Sequence, residues 1–220
     1  MKGVLKIVLI VLQVSFSQDQ PSFKGGNSEL DYFIQNKMIY PNYAKNNCLE
    51  GVVNVSFNVN SVGEVSNAKV VKGTGVDLDQ EAIRIIRLTS GKWEVPVGFN
   101  LNNKLIIPIK FSLKNYGCND ISKEQINLAI ANYKANVALQ NVVINYYQNK
   151  EKGKVNEQNE AEILQIKAEL GFDDNFINTK LREAKQKLRQ GDQIGACETL
   201  YFVKYIGSNA ADKMIAETCK

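Results

Sequence analysis

The residues of this chain that could do chemistry are few, and their spacing assigns most of them to structure. Asp77 with Asp79, and Asp173 with Asp174, are the carboxylate pairs. Two nearby carboxylates can divide acid and base work, but both pairs stand where helices begin, and free backbone N–H groups and the helix dipole already account for acids there. Lys72-Gly73-Thr74-Gly75 is glycine-rich, yet it lacks the spacing and the lysine-serine ending of a phosphate loop, and it reads as a strand-to-helix connection. The 220 residues include no histidine, which removes the base of histidine-dependent triads and the commonest metal ligand. Asn54-Val55-Ser56 fits a glycosylation acceptor by letter only and falls in mid-strand. Arg84 and Arg87 lie on the polar side of a short helix and read as solvated. Tyr133, Tyr146, Tyr147, Tyr201 and Tyr205 recur at helical spacing and read as packing residues. No enzyme, cofactor, metal site or small-molecule substrate is expected.

The elements around these residues are legible over residues 40–113. Val53, Val55, Phe57 and Val59 alternate with Asn54, Ser56 and Asn58, the period of a strand with one buried face. Asn60-Ser61-Val62-Gly63 supplies a turn, and a second strand over 64–72 completes a hairpin, with the adjacent Val70 and Val71 suggesting a bulge. Asp77 is placed to cap a short helix, Gln80 reaching back, with Ala82, Ile85 and Ile86 on its apolar face. Residues 105–113 form a third strand. Pro108 within it cannot donate to a ladder, so this strand belongs at an edge. Ahead of the sheet, Asn27 or Ser28 is placed to cap a helix through Leu30, Phe33 and Ile34, which Tyr40-Pro41 ends.

Taken together, Tyr40-Pro41 with Ala44, Glu50-Gly51-Val52-Val53, the Gly63 turn, Leu78-Asp79 with Ala82, Trp93, and Pro108 with Phe111 resemble the TonB C-terminal domain, in the form common in Bacteroidota. The resemblance covers about residues 23–113 and is spread over every element. It implies an α+β fold, a three-stranded antiparallel sheet with packed helices, Trp93 in the core, and no enzymatic activity. It also implies that an exposed strand edge captures an extended peptide of an outer-membrane TonB-dependent transporter. In the family the third strand offers that edge, which here runs from Leu105 to Phe111. Every second residue of an edge strand points its N–H and C=O outward. Proline is best tolerated in the outward set, which then comprises Ile106, Pro108 and Lys110. The competing reading is that Pro108 and Lys110 only blunt the edge against aggregation.

The first 18 residues read as an export signal: Lys2 and Lys6, an apolar run over 7–16, then Ser15 and Ser17. About ten apolar residues are too few for a bilayer span, which takes roughly 20. The expectation is a periplasmic protein with a cleaved leader, the alternative an uncleaved inner-membrane anchor. Energy-transducing relatives keep a membrane helix and a proline-rich spacer. This chain has four prolines and no such spacer, so it is expected to bind without transmitting force, touching membranes only through partners. Hydrophobic residues make up 44%, enough for two modest domains, at 23–114 and 121–220. Losing Lys2 and Lys6 takes the formal charge from +4 to +2, no case for nucleic acid.

After residue 120 the strand signals stop. Ser122 with Gln125 forms a capping-box pattern ahead of a long helix, and Gly171 and Gly191 punctuate further helices. Gly191-Asp192, Gly195-Ala196-Cys197 and Ile206-Gly207 are similar to one tetratricopeptide- or Sel1-like unit, whose usual work is protein contact. One unit falls short of the three or so a solenoid needs. This all-α part is equally readable as a cap on the sheet or as the working surface of a periplasmic scaffold.

Export favours disulfides, and four cysteines allow three pairings. With the first strand central and antiparallel to the third, Cys48 and Cys118 fall just outside neighbouring strand ends. Cys197 lies ten residues before the Gly207 turn and Cys219 twelve after it, heights of about 15 and 18 Å along paired helices. The expected pairs are Cys48–Cys118 and Cys197–Cys219.

Overall fold

The computed structural model describes residues 20–114, 116–118, 121–154 and 159–219. The leader expected at 1–18 lies outside them. In chain order the first part forms β1 (Ser22–Phe23), α1 (Gly26–Lys37), α2 (Asn42–Asn46), β2 (Gly51–Val59), β3 (Val65–Lys72), α3 (Leu78–Leu88), β4 (Trp93–Glu94) and β5 (Leu105–Phe111). Three strands make an antiparallel sheet in the order β3-β2-β5, and β1 pairs with β4 in a separate two-residue ribbon. The fold is α+β.

Alternation does what the sequence pattern requires. Val53, Val55, Phe57 and Val59 are all buried, and the apolar face of α3 (Leu78, Ala82, Ile85, Ile86) is buried in the same cluster. Each of these valine, leucine, isoleucine and phenylalanine side chains taken from water contributes about 1.5–3 kcal/mol before entropy is counted. Trp93 joins this core, its Nε1 donating to the Thr89 hydroxyl at 2.9 Å. The β2–β3 turn is held by Asn60, whose Oδ1 accepts from the N–H groups of Val62 and Glu64. Gly63 follows with φ 81°, and a Cβ there would sit 2.3 Å from the Trp93 carbonyl oxygen, so only glycine fits.

The remaining helices are α4 (Lys123–Glu151), α5 (Glu160–Glu169), α6 (Asp174–Arg189), α7 (Gln193–Tyr205), a 3-10 turn (Asn209–Ala211) and α8 (Asp212–Thr218). Ser122 and Gln125 close the capping box at the head of α4, and Asp173 caps α6 through the Phe176 N–H. With 29 residues, α4 is about 44 Å long, and its two ends serve different cores. Ala129, with Ile126, Ile130 and Tyr133, packs into the sheet's cluster, and the Tyr43 hydroxyl donates to the Ala129 carbonyl at 2.7 Å. At the far end, Val143 and Tyr146 pack with Ile163 and Ile206. Ala184, Leu200, Val203 and Ala211 fill a third cluster between α6, α7 and the 3-10 turn. Among the described residues no helix is long and apolar enough to cross a membrane.

Cys48 is bonded to Cys118 and Cys197 to Cys219, with Cα separations of 5.5 and 5.6 Å. Three local expectations are corrected. Gly25, not Asn27 or Ser28, occupies the N-cap of α1, because the helix begins at Gly26. Asp77 precedes α3 but its carboxylate makes no cap bond there; its Oδ1 is buried without a hydrogen-bond partner, and burial pushes its pKa up. Asp79 holds the glycine-rich loop instead, accepting from the N–H groups of Thr74 and Gly75 and from the Thr74 hydroxyl.

Candidate functional site

The sheet has two lateral edges, and their regularity differs. Along β3 the pairing with β2 slips twice. Val71 is passed over between the Asn54–Lys72 and Val55–Val70 pairs, where the adjacent valines suggested a bulge. A second slip falls between Ser56–Lys69 and Asn58–Ser66, and Asn67 there adopts φ 53°. A bulged, twisted edge is a poor template for another strand. In contrast, β5 pairs with β2 without interruption through seven positions, Gly51–Phe111 to Phe57–Leu105, with Pro108 opposite Asn54.

Along β5 the side chains sort by parity. Leu105, Ile109 and Phe111 are buried and Ile107 is half-buried against the core, whereas Ile106, Pro108 and Lys110 are exposed. Ile106 keeps 57% of its surface in water, and Val52, opposite Lys110 on the same face of the sheet, keeps 46%. The site residues singled out in the sequence therefore share one face of one regular edge strand.

The C-terminal end of β5 is seated from below. Phe111 meets the Tyr40 ring edge-on, centroids 5.8 Å apart, and the Tyr40 hydroxyl donates to the Leu49 carbonyl at 2.7 Å. Burial and the Glu50 charge push the Tyr40 pKa up to about 12, so the hydroxyl remains a donor at any physiological pH. The Glu50 carboxylate accepts from the Leu113 N–H just past the strand.

Behind this seat lies a charged junction that sequence reasoning missed. Arg84, expected in solvent, is only 3% exposed, and its partners Glu81 and Asp192 are 6% and 4% exposed. All five of its N–H donors are used. Nε and Nη2 hold the two Glu81 oxygens at 2.7 Å each, and Nη1 reaches Asp192 at 3.1 Å and the Gln190 side chain at 3.0 Å. Nη2 also donates to the Lys37 carbonyl at the end of α1. Burial works against the Arg84 charge, but Glu81 and Asp192 outweigh it and raise the pKa. Burial likewise pushes Glu81 up, against the pull of Arg84. Arg87, also expected in solvent, forms a two-pronged pair with Glu198 of α7 at 2.8 and 3.0 Å. Asp192 serves two masters: its other oxygen caps α7 through the Gly195 N–H at 2.9 Å. The available signal was Glu81 and Arg84 at i,i+3 spacing, and nothing local marks such a pair as buried.

Known proteins resemble one part of the chain. Residues 36–113 match the family described as Gram-negative bacterial TonB protein C-terminal. Protein TonB of Pasteurella multocida (strain Pm70) is 30% identical over 83 residues, which is 37% of this chain and 32% of that protein. The chain thus aligns with about a third of that relative's length. The NMR solution structure of the Helicobacter pylori TonB C-terminal domain is 33% identical, covering 40% of this chain and 92% of that one, with a TM-score of 0.34. Residues 36–113 of this chain are similar to the C-terminal domain of TonB proteins, and helices α4 to α8 lie outside that similarity.

Proposed function

We propose that the sheet part of this protein works in the periplasm as a non-enzymatic binding module. On this reading it takes up an extended peptide of an outer-membrane TonB-dependent transporter by strand addition along β5, in transmembrane transport. The observation that carries the reading is the contrast between the two edges, β3 bulged and β5 unbroken, in a region similar to TonB C-terminal domains. Added strands gain affinity from backbone hydrogen bonds and selectivity from alternate side chains. With Ile106, Pro108 and Lys110 as the outward set, the incoming strand meets donors at Ile106 and Lys110 on either side of a gap at Pro108, and affinity is modest. The test is a titration of the full chain with N-terminal peptides of such transporters, followed by amide shifts. Movement centred on Ile106 and Lys110 supports the reading; a silent β5 with no peptide bound overturns it.

A second reading makes the helical part, α4 to α8, the working surface of a periplasmic scaffold. It is favoured by the outer face of α6, where Arg182, Lys185 and Arg189 are exposed. Partners retained by the helical part alone, with β5 silent, decide for it.

A further inference from the structure

The buried Arg84 junction links the helical hairpin to the strand edge by a continuous set of contacts. At one end stand Gln190 and Asp192, in the turn between α6 and α7, both bonded to Arg84. Lys37 Nζ adds a bond to the Gln190 carbonyl at 3.2 Å. At the other end Arg84 holds the Lys37 carbonyl, and its partner Glu81 accepts from the Ile39 N–H at 2.7 Å. Residues 37–39 lead directly into Tyr40, whose ring lies against Phe111 of β5. We propose that Arg84 is a positioning residue: docking of the α6–α7 turn on Arg84 fixes the segment between α1 and α2, and through Tyr40 it sets the C-terminal end of β5.

A buried guanidinium between two buried carboxylates is a weak source of stability, since desolvation offsets much of its attraction. What it supplies is definition. Five donors in a rigid fork are satisfied together only when α1, α3 and the α6–α7 turn are all in place. A hydrophobic patch in the same spot would tolerate sliding; this junction has one register. Its cooperative character also means that loss of one partner loosens the others. The turn carrying Asp192 is therefore in a position to bias the strand edge through its bonds to Arg84 and Lys37. The peptide-binding consequence rests on the function proposed above, but the positional claim does not.

Amide hydrogen exchange on the peptide-free full chain tests the positional claim. Asp192→Asn keeps the side-chain volume and an oxygen for the Gly195 N–H, and puts an amide NH2, which cannot accept, where Arg84 now holds a carboxylate oxygen. Exchange at Ile39 and Phe111 should rise about fivefold or more, while Val55 and Val70 in the sheet's middle stay unchanged. Glu198→Gln, which weakens the neighbouring exposed pair with Arg87, should leave Ile39 and Phe111 as they are. Arg84→Lys, with three donors in place of five, should reproduce the Asp192→Asn pattern more strongly. Changes confined to α6 and α7, or an even rise over the whole chain, would overturn the proposal. A peptide titration of the same variants separates the two ideas. If exchange follows the expected pattern and no peptide binds to any variant, the positioning role stands and the transporter reading fails.

Discussion

Proline substitutions along β5 test the parity on which the binding edge depends. If Ile106, Pro108 and Lys110 point outward, the N–H groups bonded to β2 belong to Leu105, Ile107, Ile109 and Phe111. Ile106 stands opposite Ser56, and Ile107 opposite Val55. A proline at 106 then removes a donor that bonds nothing within the protein, and relative to Ile106→Ala the stability changes by less than about 1 kcal/mol. A proline at 107 removes a ladder bond and strands a carbonyl of β2 beside the fully buried Val55, which costs about 1–3 kcal/mol beyond Ile107→Ala. Using the alanine variants as references cancels the lost side chains, which matters because Ile106 is exposed and Ile107 half-buried. Urea unfolding reads the difference as a shift in midpoint at unchanged slope. The same Ile106→Pro variant deletes one of two outward donors flanking Pro108, so peptide affinity should fall about 2- to 10-fold. Equal destabilisation at both positions, or the larger loss at 106, refutes the parity and moves the outward set to the odd-numbered residues.

Two further predictions concern stability. Replacing both cysteines of a pair by alanine should cost about 4 kcal/mol for Cys48–Cys118 and about 3 kcal/mol for Cys197–Cys219 by loop-closure entropy, since the bridges span 70 and 22 residues; denaturant midpoints without reductant check the order. Burial pushes Glu183 up, but Lys180 and Lys187 together overcome it and hold its carboxyl at about 2, against an ordinary 4.5. A depressed folded value means stability that is full above pH 4.5 and is lost as pH falls toward 2, on the order of 2–3 kcal/mol. Glu183→Gln should therefore destabilise at pH 7 and much less at pH 3.

The sheet was legible because its signals are local. A period of two, a four-residue turn from Asn60 to Gly63, adjacent valines at a bulge and a proline at an edge each act within a few residues, and β2, β3 and β5 follow them. The disulfide pairs were legible once strand order and a helical turn were assumed, since both follow from counting along elements. What escaped depends on contacts far apart in sequence. Two residues each are too few for β1 and β4 to show a period, and their pairing joins Phe23 to Trp93. Arg84 sits among polar neighbours on α3 and looks solvated until Asp192 arrives from 108 positions away. Asp77 has the spacing of a cap, but its carboxylate makes no cap bond and its Oδ1 is buried without a partner. The boundary between two halves was also less sharp than composition suggested, because the first turns of α4 complete the sheet's own core.

The bridge from Cys48 to Cys118 has a mechanical meaning. Residues 49–117 lie between the bridged cysteines, so β2, β3 and β5 sit inside a closed covalent ring. If the chain is pulled at its two ends, tension enters at Cys48, crosses the sulfurs and leaves at Cys118. The sheet is bypassed, and its hydrogen bonds carry none of the force. A pull applied sideways, by a strand held along β5, is different: it meets the seven-position ladder with β2 as a shear contact, while the ring prevents the strands from being drawn out further than the bridge allows. The same arrangement recurs at the end of the chain, where Cys197–Cys219 shunts tension past the second half of the helical hairpin. Among the described residues, the extensible part is then what lies outside the two rings: β1, α1 and α2 before the first, and α4, α5, α6 and the first turn of α7 between them.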